Sequence, residues 1–254
     1  MARPVALITG ARRGIGRAIG LALAKAGHDI VFTDIVEDEA VEAAHTALAH
    51  LGARARFIRH DVAALESHAD LVATVMRDFG RLDHFVSNAG IGAPVRGDML
   101  EITPESYDLV MGVNLRGAVF LSQEVAKAML GAPELRKPAI VFITSASSEL
   151  VSIDRAQYCV SKLGLSMWAK ALAVRLAPDG IPVFEVRPGV IRTEMTAQVA
   201  AKYDARIADG LIPAGRWGEG EDVARCVVGL VSGQFAYATG TIVNCDGGLM
   251  IPRL

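Results

Sequence analysis

The feature that most limits what this chain can fold into is the alternation of short apolar runs with helical segments along its whole length. Strand-like runs fall at Val5–Thr9, Ile30–Thr33, Ala55–Arg59, Leu82–Ser87, Ala139–Thr144, Ile181–Val186 and Gly240–Asn244. Between them lie helical patterns: about 14–26, an Ala-rich stretch closed by Gly52, one stopping at Gly80, a long one from about Pro104 to Met129, the segment carrying Tyr158 and Lys162, and about Glu221–Leu230. Gly27, Gly52 and Gly80 suit helix C-caps, and Pro104 suits a first helical turn. Strands that read as nearly continuous apolar runs are buried on both faces, so the expected fold is α/β, a parallel sheet with helices on either side. The 254 residues carry no repeat, low-complexity tract or linker, and one domain spanning 1–254 is expected.

Composition narrows the function classes. Lys and Arg number 26 against 28 Asp and Glu, with no basic block, which argues against a nucleic-acid partner. No run of 18 apolar residues exists, so no transmembrane helix is expected. The chain enters its first strand at Val5, leaving no room for a signal peptide. Cys159, Cys226 and Cys245 lack metal-like or redox-like spacing and read as small core residues of a cytoplasmic protein.

Between the first strand and its helix lies Thr9-Gly10-Ala11-Arg12-Arg13-Gly14-Ile15-Gly16. Glycines at this junction let backbone N–H groups at a helix N-terminus approach a pyrophosphate. Asp34, eighteen residues past Gly16, ends the second strand, where a carboxylate accepts both ribose hydroxyls of NAD and repels the 2′-phosphate of NADP. Arg12 and Arg13 pull toward NADP, but no cation follows Asp34 at Ile35 or Val36, so NAD is favoured.

A second group sits around Tyr158-Cys159-Val160-Ser161-Lys162. Four residues apart on a helix, Tyr158 and Lys162 share a face. An ammonium close to a phenol pulls its pKa below the usual ~10, toward proton exchange at neutral pH. Ser145 closes the fifth strand, thirteen residues before Tyr158, where its hydroxyl can hold an oxygen whose charge changes. Taken alone, Tyr-x-x-x-Lys is also an ordinary amphipathic helix turn.

Together these residues resemble the short-chain dehydrogenase/reductase family, over about residues 4–248. The glycine loop Gly10, Arg12, Arg13, Gly14, Ile15 and Gly16 is similar to its cofactor loop, Asp61-Val62 to its adenine contact, and Asn88-Ala89-Gly90 to its fourth-strand motif. Ser145, Tyr158 and Lys162 match its catalytic serine, tyrosine and lysine, and Asn114 its structural and proton-relay asparagine. Pro188, Gly189, Ile191 and Thr193 fall in the segment that holds the nicotinamide carboxamide. The resemblance implies a Rossmann-like seven-stranded sheet in order 3-2-1-4-5-6-7. It also implies hydride transfer between a nicotinamide cofactor and a secondary alcohol or ketone, with Tyr158 as acid/base, Ser145 steadying the oxygen and Lys162 holding the nicotinamide ribose. A homotetramer is implied too, and the apolar Cys226–Leu230 and Val243–Leu249 stretches are expected at its interface.

The nearest subgroup resembles the 3-oxoacyl-[acyl-carrier-protein] reductases, which use NADPH and carry a basic residue where this chain has Asp179. Asp34 and Asp179 depart from that pattern and favour a general NAD(H)-dependent dehydrogenase, with an NADPH-dependent 3-oxoacyl reductase as the alternative and a non-enzymatic NAD sensor as a remoter one. Arg136 and Lys137 remain as docking charges or a solvated loop. On the substrate side, Glu149, Val151, Ile153 and Gln157 are expected at the pocket entrance, and Glu149 and Arg155 to bind a polar substrate or to pair. The 193–216 segment, with Met195, Tyr203, Ile207, Leu211 and nearby Trp217, is expected as a substrate lid or a short core helix.

Overall fold

The computed structural model describes residues 3–132, 137–197 and 199–253. Strands β1 (Val5–Thr9), β2 (Asp29–Asp34), β3 (Ala55–Arg59), β4 (His84–Ser87), β5 (Ala139–Ile143), β6 (Val183–Pro188) and β7 (Ile242–Cys245) pair in the order β3-β2-β1-β4-β5-β6-β7, and every pairing is parallel. This is the strand order that the resemblance implied. Parallel neighbours need crossovers, and the helices supply them: α1 (Gly14–Lys25), α2 (Glu39–His50), α3 (His68–Phe79), α4 (Pro104–Met111), α5 (Ala118–Leu130), α6 (Ala156–Leu176), the short α7 (Glu194–Ala197), α8 (Ala200–Ala208) and α9 (Gly220–Val231).

β1, β4 and β5 are fully buried, as their apolar runs require. On one face Ile8, Phe32, Val86, Val141 and Phe184 pack under α1, α2 and α9. On the other, Leu7, Phe85, Ile140 and Phe142 pack with Val75, Leu121, Val125, Leu165 and Leu172 of α3, α5 and α6. A third, smaller cluster joins Val190, Ile207, Ile212 and Trp217 beyond the end of β6.

The structure corrects one expectation and adds detail to two others. The long helix is not continuous: a π-helical turn at Gly112–Gly117 separates α4 from α5. A Cβ at Gly117 would come within 2.8 Å of the Val62 carbonyl carbon, so this close approach requires glycine. The 193–216 segment contains α7 and α8, with Ile207 buried and Tyr203 edge-on to Trp217 at 5.7 Å, so part of it is the core face of a short helix. In α9, Val227 and Leu230 are buried against the core while Cys226 and Val228 stay half-buried, and the helix packs on α1. β7 is the sheet's edge, with Ile242 and Val243 half-buried.

Candidate active site

The candidate residues converge at the carboxyl edge of the sheet, around the point where β1 and β4 lie side by side and the strand order reverses. Gly10 takes a left-handed φ of 62°, and a Cβ there would meet the Ala89 Cα at 2.8 Å. A Cβ on Gly16 would lie 2.6 Å from the Asn88 Nδ2. Asn88 braces the turn by donating from Nδ2 to the carbonyls of Thr9 and Gly10, both at 2.9 Å. Thr9 Oγ1 accepts the N–H groups of Asn88 and Ala89 at 3.1 and 3.0 Å. The first and fourth strand ends are thus tied together, with the N-terminus of α1 opening above them. This cradle fits a dinucleotide pyrophosphate: close backbone approach is possible because side chains are missing where they would intrude.

Asp34 stands at the end of β2, its Oδ1 accepting the Ile35 N–H at 2.9 Å. Arg12 is buried against it, with Nε 3.8 Å from Asp34 Oδ1, and Arg12 also pairs with Asp38. Arg13 pairs with Glu194 at 3.3 Å, an exposed contact. The Arg12 guanidinium is therefore already answered by two carboxylates. Asp61 Oδ1 accepts the Ala63 N–H at 2.8 Å, and the neighbouring Val62 is buried. Pro188 ends β6, the Gly189 N–H donates to the Cys245 carbonyl at 3.0 Å, Ile191 bridges Gly218, and the Thr193 N–H donates to Thr196 Oγ1 at 3.0 Å. Gly189 leaves no room for a side chain, since a Cβ would meet Asp246 at 2.8 Å.

Tyr158 and Lys162 are buried on the inner face of α6 beside the end of β5. Lys162 Nζ lies 5.8 Å from the Tyr158 ring centroid and donates to the Ile143 carbonyl at 3.1 Å. A Cβ on Gly90 would sit 3.3 Å from that Nζ and 3.2 Å from Asn114 Oδ1, which brings the fourth-strand motif, the asparagine and the lysine together. Asn114 lies in the π turn and bonds across to another segment. Its Oδ1 accepts the Ile91 N–H at 2.8 Å, and its Nδ2 donates to the Ile91 carbonyl at 2.9 Å and to Ser161 Oγ at 3.1 Å. Ser145 Oγ accepts the Ser147 N–H at 3.0 Å and lies close enough to Tyr158 to lower its pKa.

The electrostatics correct one expectation. Burial pushes the Tyr158 hydroxyl above its usual value, while the Ser145 hydroxyl and then the charges of Arg155 and Arg96 pull it back. Lys162 is not the group that sets it. Burial lowers Lys162 itself to about 8, partly opposed by Glu185. The helical spacing does place the ammonium near the ring, but desolvation outweighs it.

Sequence reasoning passed over a buried ion pair beneath this site. Glu185 and Arg187, two apart on β6 and both buried, bond at 2.6 Å, and Thr144 Oγ1 and Ser166 Oγ donate to Glu185 at 2.6 and 2.7 Å. Arg187 also pairs with Glu149. Glu149 and Arg155 therefore do not pair with each other. The detectable signal was opposite charges at i and i+2 in an otherwise apolar strand. Of the other entrance residues, Val151 and Ile153 are exposed, while Gln157 is buried and donates to Ser106 Oγ at 3.2 Å. Cys226 and Cys245, read as independent core residues, are half-buried and face each other across α9 and β7, the pairing lowering Cys226 to about 7 and raising Cys245. Lys137 donates to the Ser232 carbonyl at 2.9 Å, and Asp179 pairs with Arg175 at 2.8 Å; Arg136 lies outside the described residues. A cavity of about 670 Å³ opens elsewhere, between α8 and α9, lined by Arg192, Asp204, Arg216 and Trp217 among others. None of Ser145, Tyr158 or Lys162 lines it, and its charges are largely paired, as in Arg216 with Asp222 at 2.7 Å.

Comparison with known proteins agrees with this architecture. The family described as "Enoyl-(Acyl carrier protein) reductase" matches residues 10–250. The 3-oxoacyl-[acyl-carrier-protein] reductase of Haemophilus influenzae is 34% identical over 97% of this chain and 98% of its own. The crystal structure of a 3-oxoacyl-[acyl-carrier protein] reductase from Brucella melitensis in complex with NAD superposes with a TM-score of 0.97 at 50% identity, covering 100% of both chains. A putative 2-deoxy-d-gluconate 3-dehydrogenase from Agrobacterium tumefaciens with bound NADP superposes with a TM-score of 0.88 at 33% identity, covering 99% of this chain and 98% of its own. The chain belongs to the short-chain dehydrogenase/reductase family and is an oxidoreductase.

Proposed function

We propose that the protein interconverts a secondary alcohol and a ketone, using NAD(H), with Tyr158 as the acid/base. The observation that carries this is the Ser145–Tyr158–Lys162 group, buried at the end of β5 against Gly90 and Asn114, immediately beside the glycine cradle. Gly10, Gly14, Gly16, Asp34, Asp61, Val62, Asn88 and the Pro188–Thr193 segment would hold the dinucleotide, which supplies or accepts the hydride when bound. Tyr158 Oη gives its proton to the ketone oxygen or takes one from the alcohol. Its raised pKa keeps it protonated at neutral pH, loaded for reduction. The Ser145 hydroxyl steadies the same oxygen as its charge changes. Asn114, clamped to Ile91, fixes the wall beside Lys162, whose ammonium is in reach of a ribose.

NAD is favoured because Asp34 faces the ribose position and Arg12 is neutralised by Asp34 and Asp38. The NAD complex of the Brucella melitensis protein supports this, and the NADP-bound Agrobacterium tumefaciens protein marks the alternative. A second reading, 3-oxoacyl-[acyl-carrier-protein] reduction, is favoured by the names of the relatives. Against it stand Asp34 and the acidic Asp179. We further infer a cytoplasmic homotetramer. Val160, Leu163, Met167 and Val174 form an exposed apolar stripe along α6, and β7 leaves an open sheet edge. Among the described residues no helix is long and apolar enough to cross a membrane.

The test is turnover of ketones and alcohols with NADH and NADPH, followed at 340 nm, beside an NADH binding titration. NADH should be preferred by about tenfold or more, and Tyr158→Phe should cost roughly 10²–10⁴ in turnover with NADH affinity nearly unchanged. A Tyr158→Phe protein that binds NADH and keeps turnover within about threefold of the parent would overturn the assignment.

A further inference from the structure

We propose that the substrate carries a carboxylate close to its reacting carbon, a short oxo or hydroxy acid, and that Arg155 receives that carboxylate; this rests on the alcohol–ketone reading above. Arg155 stands three residues before Tyr158, with its guanidinium carbon 5.1 Å from the Tyr158 ring centroid. Nη2 donates to Ser147 Oγ at 3.2 Å, and Ser147 in turn donates its N–H to Ser145 Oγ. The guanidinium is thus tied into the Ser145–Tyr158 group at which the carbonyl oxygen reacts.

This arginine makes no close ion pair, and only the more distant charge of Asp154 faces it. Among the described residues no carboxylate lies within 4.0 Å of it, although Arg12, Arg187 and Arg216 are each paired. Its Nε is closed off from water without an acceptor. Part of the guanidinium's donor capacity is therefore unused inside the protein, which leaves its outer face to meet an anionic partner. The obvious internal candidate, Glu149, is turned to Arg187 instead.

The surroundings carry the same sign. Arg96, from the segment after β4, lies 3.7 Å from Asp154, and Ser152 donates to the same carboxylate. Lys202 of α8 is near enough for its charge to act on Asp154 as well. Three cations from three separate segments therefore stand against one carboxylate that already has partners. A guanidinium fork suits a planar carboxylate, and its position over the Tyr158 ring puts that group near the reacting oxygen. A neutral ketone would leave these cations as they are.

The experiment compares matched pairs on the holoenzyme: a short 2-oxo acid and a short 3-oxo acid, each against its methyl ester, with a phosphate-bearing ketone as a separate arm. It is run with NADH and with NADPH. For the parent, kcat/KM should favour an acid over its ester by about thirtyfold, the scale of a charge-assisted hydrogen-bonded pair. Arg155→Gln should cut that acid-to-ester ratio at least about tenfold, mainly through KM, with Arg155→Lys recovering part of it and NADH affinity unchanged in both. Equal losses on acid and ester would mean a merely structural arginine and would overturn the proposal. So would a parent that prefers esters or the phosphate-bearing ketone, in which case the alcohol–ketone reading stands. Silence on every pair with both cofactors sinks that reading and this proposal together.

Discussion

Lys162→Met should abolish activity and yet make the cofactor-free protein more stable at neutral pH. Burial lowers the Lys162 pKa from 10.5 to about 8, so at pH 7 the folded protein keeps an ammonium where water is scarce. At roughly 1.36 kcal/mol per pKa unit, that charge costs about 3 kcal/mol. Methionine matches the chain length without the charge, but it forfeits the 3.1 Å hydrogen bond to the Ile143 carbonyl, worth about 1 kcal/mol. The net gain is then about 1–2 kcal/mol, or roughly 2–8 °C in Tm for a chain of this size. The pH dependence gives an independent check. Between pH 8 and 10.5 the unfolded chain holds more protons on this lysine than the folded one, so the parent recovers stability as pH rises through that window. Urea unfolding of parent and variant at pH 7 and pH 10 should show the variant's advantage shrinking at the higher value. A variant less stable than the parent at pH 7, or an advantage that does not narrow, would refute the reasoning.

Two other perturbations follow from the fold. His84, buried in β4 with its ring 5.0 Å from that of His28, is lowered by burial from 6.5 to about 3. The unfolded state therefore binds the extra proton first, and stability is lost as pH falls below 6.5: about 2 kcal/mol by pH 5 from this residue, which acid titration of His84→Phe against the parent should show as a flatter profile. Gly117→Ala would press a methyl group on the Val62 carbonyl across the π turn and should destabilise by about 2–3 kcal/mol, read as a lower urea midpoint with an unchanged slope.

The strand run and its glycine punctuation were legible because each depends on local chemistry. Ala55–Arg59 was located to the residue, and Gly27, Gly52 and Gly80 all take left-handed conformations where helices end. The segments expected to form the site do meet at one edge, since a parallel sheet delivers every strand end there. What escaped notice depends on tertiary surroundings. The π turn at Gly112–Gly117 leaves the apolar periodicity of its helix intact, and only the approach of Val62 explains it. The Tyr158 pKa runs opposite to the expectation from spacing because spacing reports who is near, whereas burial depends on the whole fold. The Cys226–Cys245 contact joins positions nineteen apart that only the β6–β7 pairing and the packing of α9 bring together.

The division of the sheet into two edges also bears on how the protein can be modified by design. Segments at the carboxyl edge interlock, so an added residue there would displace the cradle or the catalytic group. At the opposite edge, Gly80 and Gly180 follow α3 and the end of the α6 region, and a side chain built on either meets nothing within 4 Å. Turns of this kind, open around the Cβ position, are where inserted sequence is best tolerated. A reporter peptide or surface-attachment tag inserted beside Gly180 would hold the molecule by its back, with the mouth beside Arg155 turned to solution.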